Sequence, residues 1–356
     1  MRAFFVSIIL LLSITNVYSQ MGNMALIKGS VADAERITFA YTSPLNKSMA
    51  MVNQTLPIYY ESKKDLQFYF GVQFSSVFVP ANQQSYDIKK LNLEEYSPSN
   101  PSNTIAQTVF GAQESILLKT NKTYLIGTSS GIQQVPLYEI STPEGIGSSV
   151  MPFAQINIGG YFYGNYISLK FIPKITFAGS DMDIYSIGID LRHDITKMIG
   201  VLNDSKWSLS FLWGYQYTKM NNYFDIKPDE SMTGLKIGGN NGPYDNQRLE
   251  NVVTTIPLGF TVGRKLGDFT LYGGPSIAFS TADVKLLGNY PVYFNSPLNL
   301  FSVVILDETN PFAYSQQINQ WKLDLGASYQ FKNIVAGLNI SLAEYTRASL
   351  TIGMTL

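Results

Sequence analysis

A single histidine, His193, and no cysteine bound the chemistry this 356-residue chain can perform. Without cysteine there is no thiolate nucleophile, no disulfide, no thiolate-held zinc and no lipid-modified N-terminal cysteine. Any mechanism that needs an imidazole must run through His193. Its neighbour Asp194 is the obvious orienting carboxylate, but the run Ile187-Gly188-Ile189-Asp190-Leu191-Arg192-His193-Asp194 alternates apolar and polar residues. On an extended strand successive side chains point to opposite faces, so His193 and Asp194 diverge and cannot form a dyad. His193 is read instead as an interfacial anchor.

Other candidate chemistry is sparse. Asp229-Glu230 and Asp307-Glu308 are acidic loop pairs, too few to frame a calcium site. Gly238-Gly239-Asn240-Asn241-Gly242 has no following Lys-Ser/Thr and no helix, so it is not a phosphate loop. No cofactor and no metal is expected. A net charge of −1 gives no reason to expect nucleic acid. The residues with most to offer are charges placed among small residues on alternating strands: Lys170, Lys174, Asp190, Arg192, Asp194, Lys322 and Asp324. They either pair into a packed network or line a polar path.

The elements that must carry these charges are strands of unusual length. From Trp207 to Tyr217, Trp207, Leu209, Phe211, Trp213, Tyr215 and Tyr217 share one face, opposed by Ser208, Ser210, Leu212, Gly214 and Gln216. The pattern recurs from Leu66 to Phe78, Ile167 to Phe177, Trp321 to Phe331 and Leu350 to Leu356. Globular strands average about 5–6 residues, whereas a tilted membrane-crossing strand needs about 9–11. The second face carries Gly, Ser and Thr rather than the Lys and Glu of a solvated sheet. Aromatics reach 13% and charged residues only 14%, against roughly 25% charged in an average soluble domain. A barrel whose outer face meets lipid explains the deficit.

These features predict an all-β chain, a transmembrane antiparallel β-barrel of about 12–14 strands with a short N-terminal helical segment. Strands are expected near 153–163, 165–177, 184–194, 206–219, 248–264, 268–284, 317–331, 333–342 and 347–356. Residues 50–60 and 66–79 are expected to form a hairpin, and 104–140 to hold two or three further strands. Tight connections at Gly164-Asn165, Lys265-Leu266-Gly267 and Asn333 alternate with long ones over 220–247 and 285–316, the rhythm of periplasmic turns and extracellular loops. Met1-Arg2, the apolar run from Phe4 to Leu12 and the small-residue region ending at Ser19-Gln20 have the order of a secretory signal peptide. The chain therefore divides into a signal peptide (1–19), an N-terminal segment (20–48) and the barrel (49–356). Asp33 is read as a helix cap and Pro44 as the end of that segment, which is a periplasmic extension, a plug or a leader without fixed structure.

Leu45 to Pro80, ending in Val77-Phe78-Val79-Pro80, resembles an uncharacterised family of Gram-negative outer-membrane barrels. Ile187 to Ile195 and the Asp33-to-Leu45 segment resemble it too. That family is similar in layout to the long-chain fatty-acid transporters, barrels with an N-terminal hatch that pass hydrophobic molecules inward. The resemblance implies location in the outer membrane and passive transport of a small hydrophobic ligand, although no residue here maps onto the transporters' ligand site. The alternative is a structural or adhesive barrel that binds a surface partner through its long loops. The expected partners are outer-membrane lipid and the barrel-insertion machinery, the latter through the apolar C-terminal strand. Three prolines interrupt strands, Pro173, Pro257 and Pro275. Each marks a wall bulge that either opens a lateral gap or only shapes curvature or lies near a rim.

Overall fold

The computed structural model describes residues 30–54, 66–128, 131–136, 139–176, 181–198, 207–227, 242–295 and 303–356. The expected signal peptide lies outside them. Ten antiparallel strands close a barrel: β1 (Gln67–Phe78), β2 (Val150–Phe162), β3 (Asn165–Thr176), β4 (Met182–Asp194), β5 (Trp207–Tyr223), β6 (Arg248–Leu266), β7 (Phe269–Leu287), β8 (Phe312–Phe331), β9 (Ile334–Leu342) and β10 (Thr346–Thr355). Each strand pairs with its neighbours in sequence. The ring shuts where β1 meets β10, with Tyr69 opposite Thr355 and Phe78 opposite Thr346.

The count is ten rather than 12–14, for two reasons. The expected strand at 50–60 begins inside helix α1 (Val31–Val52), and residues 55–65 lie outside the described set. Met49, Ala50, Met51 and Val52 are all buried, and an uninterrupted apolar run does not distinguish a strand from a buried helix. Nor does Pro44 end α1. It lies within the helix, where it cannot return an N–H to the carbonyl one turn earlier. The second reason is that the strands in 104–140 leave the wall. They form small sheets with other parts of the 79–149 connection: Ser85–Asp87 with Ile105–Gln107, Tyr96–Pro98 with Leu117–Thr120 and Glu139–Ser141, and Thr123–Thr128 with Gly131–Pro136.

The tight connections are Tyr163-Gly164, Gly267-Asp268 and Lys332-Asn333. Tyr163 (φ 46°) and Gly164 (φ 81°) both take positive φ, as the twist of a two-residue hairpin demands. β1 starts and β10 ends at this same edge, where the Phe68 N–H donates to the Leu356 carbonyl. The long connections, 79–149, 224–247 and 288–311, leave from the opposite edge. By the rule that periplasmic turns are short and external loops long, that edge is the outer one.

The wall is uneven in height. β5 to β8 have 17, 19, 19 and 20 residues, whereas β9 has 9 and β10 has 10. On β8 the exposed face is apolar from Phe331 up to Trp321, about the length of one tilted crossing. Above Trp321 it turns polar at Asn319, Gln317 and Ser315. The tall side of the wall therefore stands clear of the lipid. The connection 79–149 faces it as a compact head, and α1 lies between them. One apolar core joins Ile37, Tyr41, Leu45 and Met49 of α1 to Ile88, Phe110, Leu118 and Ile140 of the head and to Leu249, Val253, Val284 and Phe312 of the wall. Each fully buried aliphatic side chain there contributes about 1.5–3 kcal/mol.

A glycine on β7 tests how closely the wall packs. A Cβ added at Gly274 would run into the backbone carbonyl of Phe260 on β6. Gly274→Ala is expected to lower the yield of folded barrel severalfold, read as loss of the fast-migrating, unheated form on a gel. The change Thr281→Ala, on the outer face of the same strand, should retain that form.

The occupied lumen as candidate functional site

Helix α1 is held at both ends by groups outside itself. At its start the Ser30 hydroxyl accepts the Asp33 N–H (3.2 Å). The Asp33 carboxylate is fully buried and accepts three backbone N–H groups of the head, from Glu94 (2.8 Å), Glu95 (2.7 Å) and Tyr96 (3.1 Å). Hydrogen bonds to an ionised acceptor are roughly twice as strong as neutral ones. Arg36 reaches the same segment, donating to the Asn92 carbonyl and pairing with Glu94, both at 2.7 Å. One turn on, the Tyr41 hydroxyl donates to the Glu144 carbonyl (2.9 Å). Burial, with Glu144 adding to it, pushes the Tyr41 phenol well above its ordinary pKa, so it stays a neutral donor.

Midway, polar side chains tie the helix to the tall wall. Gln316 donates to Ser43 (2.7 Å), Asn46 to Gln316 (3.2 Å) and Asn251 to Asn46 (3.1 Å). Near the end Asn53 donates to Thr255 (3.3 Å) and accepts from Thr218 (2.7 Å), while Gln54 donates to Gln320 (3.1 Å).

The last turn of α1 has no basic residue of its own, and its final carbonyls need donors. The wall supplies two cations. Lys322 Nζ donates to the Gln54 carbonyl (2.6 Å) and Arg347 Nη1 to that of Met51 (3.2 Å). Both side chains are almost completely buried, and they sit where the negative end of the helix dipole favours positive charge. Asp324 balances them: it accepts from Lys322 (3.1 Å) and Ser276 (2.7 Å), takes a short bond from Ser341 and lies 3.7 Å from Arg347. A second ion pair, Lys170 with Asp190, faces it from β3 and β4. Toward the periplasmic edge Tyr69, Tyr161, Tyr166 and Tyr272 form a buried collar, with the Arg192 guanidinium 4.9 Å from the Tyr161 ring and 5.7 Å from the Tyr166 ring. Tyr69 lies flat over Gly71 and Gly353, and Tyr272 over Gly326, where a Cβ would collide with the ring.

The sequence-predicted charges thus divide. Lys170, Asp190, Arg192, Lys322 and Asp324 are buried on the inward face. Lys174 is not among them. A register shift between Ile172 and Ile175 carries it to the outer rim, where its side chain is 63% exposed and pairs with Asp183 at 3.0 Å. Asp194 sits at the periplasmic edge and accepts the Thr196 N–H (2.9 Å). His193 contacts Asn165 through Nδ1 (2.8 Å) and so turns to a different partner from Asp194.

The prolines also divide. Pro173 lies at the register shift, a true bulge. Pro257 and Pro275 are not bulges: ladder pairs are missing opposite them, between β5 and β6 and between β6 and β7, but the register resumes unchanged. A proline removes one donor, and the flanking pairs hold the spacing. Beside Pro257 a small cleft is lined by Gln54, Asp190 and Lys322 of the lumen and by Trp213 and Leu258 of the wall.

Sequence reading missed Arg347 and the polar end of α1. Arg347 shares the inward face with Ser349 and Thr351, so its period-2 position was available. Asn46, Asn53 and Gln54 were hidden once the helix was ended at Pro44.

A closed antiparallel barrel with an apolar, aromatic-edged outer band and a polar, filled interior defines an outer-membrane β-barrel. The chain belongs to a family of unknown function, DUF6588, whose model matches residues 1–356. No curated protein matches it significantly. Among solved structures it is similar to the translocator domain of the autotransporter NalP from Neisseria meningitidis (13% identity, 89% of this chain and 96% of that one, TM-score 0.28). It is also similar to Ail, the attachment invasion locus protein of Yersinia pestis (9% identity, 54% and 97%, TM-score 0.24), and to a Pseudomonas aeruginosa FadL homologue (11% identity, 82% and 90%, TM-score 0.22).

Removing one partner of a buried ion pair costs about 3–5 kcal/mol, because the remaining charge is stranded. Asp324→Ala leaves Lys322 and Arg347 without their shared carboxylate. Its folded form is expected to convert to the slow-migrating form at a clearly lower temperature than wild type, whereas the exposed-rim change Lys174→Ala should shift that temperature little.

Proposed function

We propose that this protein is a closed outer-membrane barrel that holds a folded head at the cell surface to bind a surface partner. The observation that carries the reading is the position of α1, which occupies the lumen between head and tall wall and is bonded to both. A helix about 10–12 Å across leaves little room in a ten-stranded ring. Transport through such a lumen would require α1 to leave it, breaking the buried contacts at both ends. The head, by contrast, carries its small sheets on a rigid mount, and the hairpin of Asn289–Asn295 with Val303–Thr309 packs Tyr290 and Val292 into the same core. In planar bilayers the purified protein is expected to insert without a sustained conductance. Cells producing it should adhere to one another or to host-cell surfaces, and replacing 82–147 with a short Gly/Ser linker should abolish this while leaving the barrel heat-modifiable. Steady conductance in the wild type, or adhesion unaffected by the replacement, would count against the reading.

The cleft beside Pro257 favours a second reading, passive uptake of small hydrophobic molecules. Its lining includes Trp213 and Leu258, whose side chains face lipid, together with Gln54 and Lys322 of the lumen, beside an interrupted ladder. Pro257→Ala restores a donor and should close the cleft. If uptake runs there, entry of the fluorescent probe N-phenylnaphthylamine into cells should fall severalfold in this variant. Unchanged entry would remove the cleft as a route.

A further inference from the structure

The direction of α1 has a consequence for the whole chain. Its first turn is bonded to Asn92, Glu94, Glu95 and Tyr96 in the head, beyond the outer edge of the wall. Its last turn is bonded to Lys322 and Arg347 inside the lumen. The helix therefore descends from the outside inward. β1 then begins at the opposite edge, beside Leu356 and the tight turns. The stretch from Gln54 to Leu66 can span up to about 40 Å when extended, enough to reach that edge from the middle of the lumen. A chain that entered from the periplasm would place Ser30 and Asp33 at the tight-turn edge, which is the reverse of what is seen.

We propose that the polypeptide is threaded through its own barrel with the start of α1 outside, so that Ser30 and the first turn of the helix are displayed at the cell surface beside the head. The two clamps make this a fixed presentation. Asp33 gathers three head N–H groups at one end, and two buried cations hold the final carbonyls at the other. This inference rests on which edge of the barrel is external, and not on whether the head binds anything.

The absence of cysteine makes the test direct. Single cysteines are placed at Ala32 in α1, Asn100 in the head and Asn333 in the β8–β9 turn, all exposed positions. Each variant is first checked for heat-modifiable migration. Cells are then treated with a maleimide polymer too large for outer-membrane pores, before and after permeabilisation. Ala32→Cys and Asn100→Cys are expected to label on intact cells, and Asn333→Cys only after permeabilisation. Labelling of Ala32→Cys only after permeabilisation, with Asn100→Cys reactive on intact cells, would overturn the threading and leave the surface head intact. Asn333→Cys reacting on intact cells while Asn100→Cys does not would overturn both. As a second measurement, an epitope inserted between Met24 and Ala25 should be stained by antibody on intact cells. Staining that requires permeabilisation would refute the display.

Discussion

The final carbonyls of α1 end inside the lumen, and two buried cations of the wall meet them. This contact sets what the rest of the molecule can be. Lys322 and Arg347 would be prohibitively costly in a buried interior without partners, and the Gln54 carbonyl would be costly without a donor. Each group answers the other's need. Asp324, fixed by Ser276 and Ser341, supplies the counter-charge that keeps the cations in place. The network is a packing device built from polar parts. It fills a space that a ten-stranded ring leaves too narrow for open water and too polar for an aliphatic core.

That contact also explains the uneven wall. A helix of 22 residues is about 33 Å long, and only its last turns reach the polar layer. The remainder needs apolar cover above the membrane. β5 to β8 supply it on one side by extending past the lipid, and the 79–149 head supplies it on the other. The outer surface of the same strands records the change of solvent, from Trp321 and Leu323 against lipid to Gln317 and Ser315 above it. One strand thus serves two cores, polar inside the membrane layer and apolar beyond it.

The wall tolerates its prolines because the cost of each is local. In lipid an unpaired backbone group costs several kcal/mol. At Pro173 the chain absorbs this by shifting register near the rim, which also carries Lys174 out to solvent. At Pro257 and Pro275 the ladder is interrupted without a shift, and the inward side of the first interruption meets the polar groups of Gln54 and Lys322.

Alternation alone determined the barrel, the nine strands from 153 to 356, their tight turns and the inward set Lys170, Asp190, Arg192, Lys322 and Asp324. These follow from a period of two, which is a local property of the chain read against a single surrounding solvent, lipid. The tertiary structure alone decided what the lumen holds. Met49 to Val52 read equally well as strand or helix, because a segment buried on every side carries no period to read. Pro44 reads as a terminator because the wall contacts that stabilise the helix beyond it come from residues about 200 or more positions away, such as Asn251 and Gln316, both bonded to Asn46. The small strands of 105–141 left the wall for a similar reason. Whether a short strand joins the barrel depends on which edge it can pair with, and in this chain β1 finds its closing partner in β10.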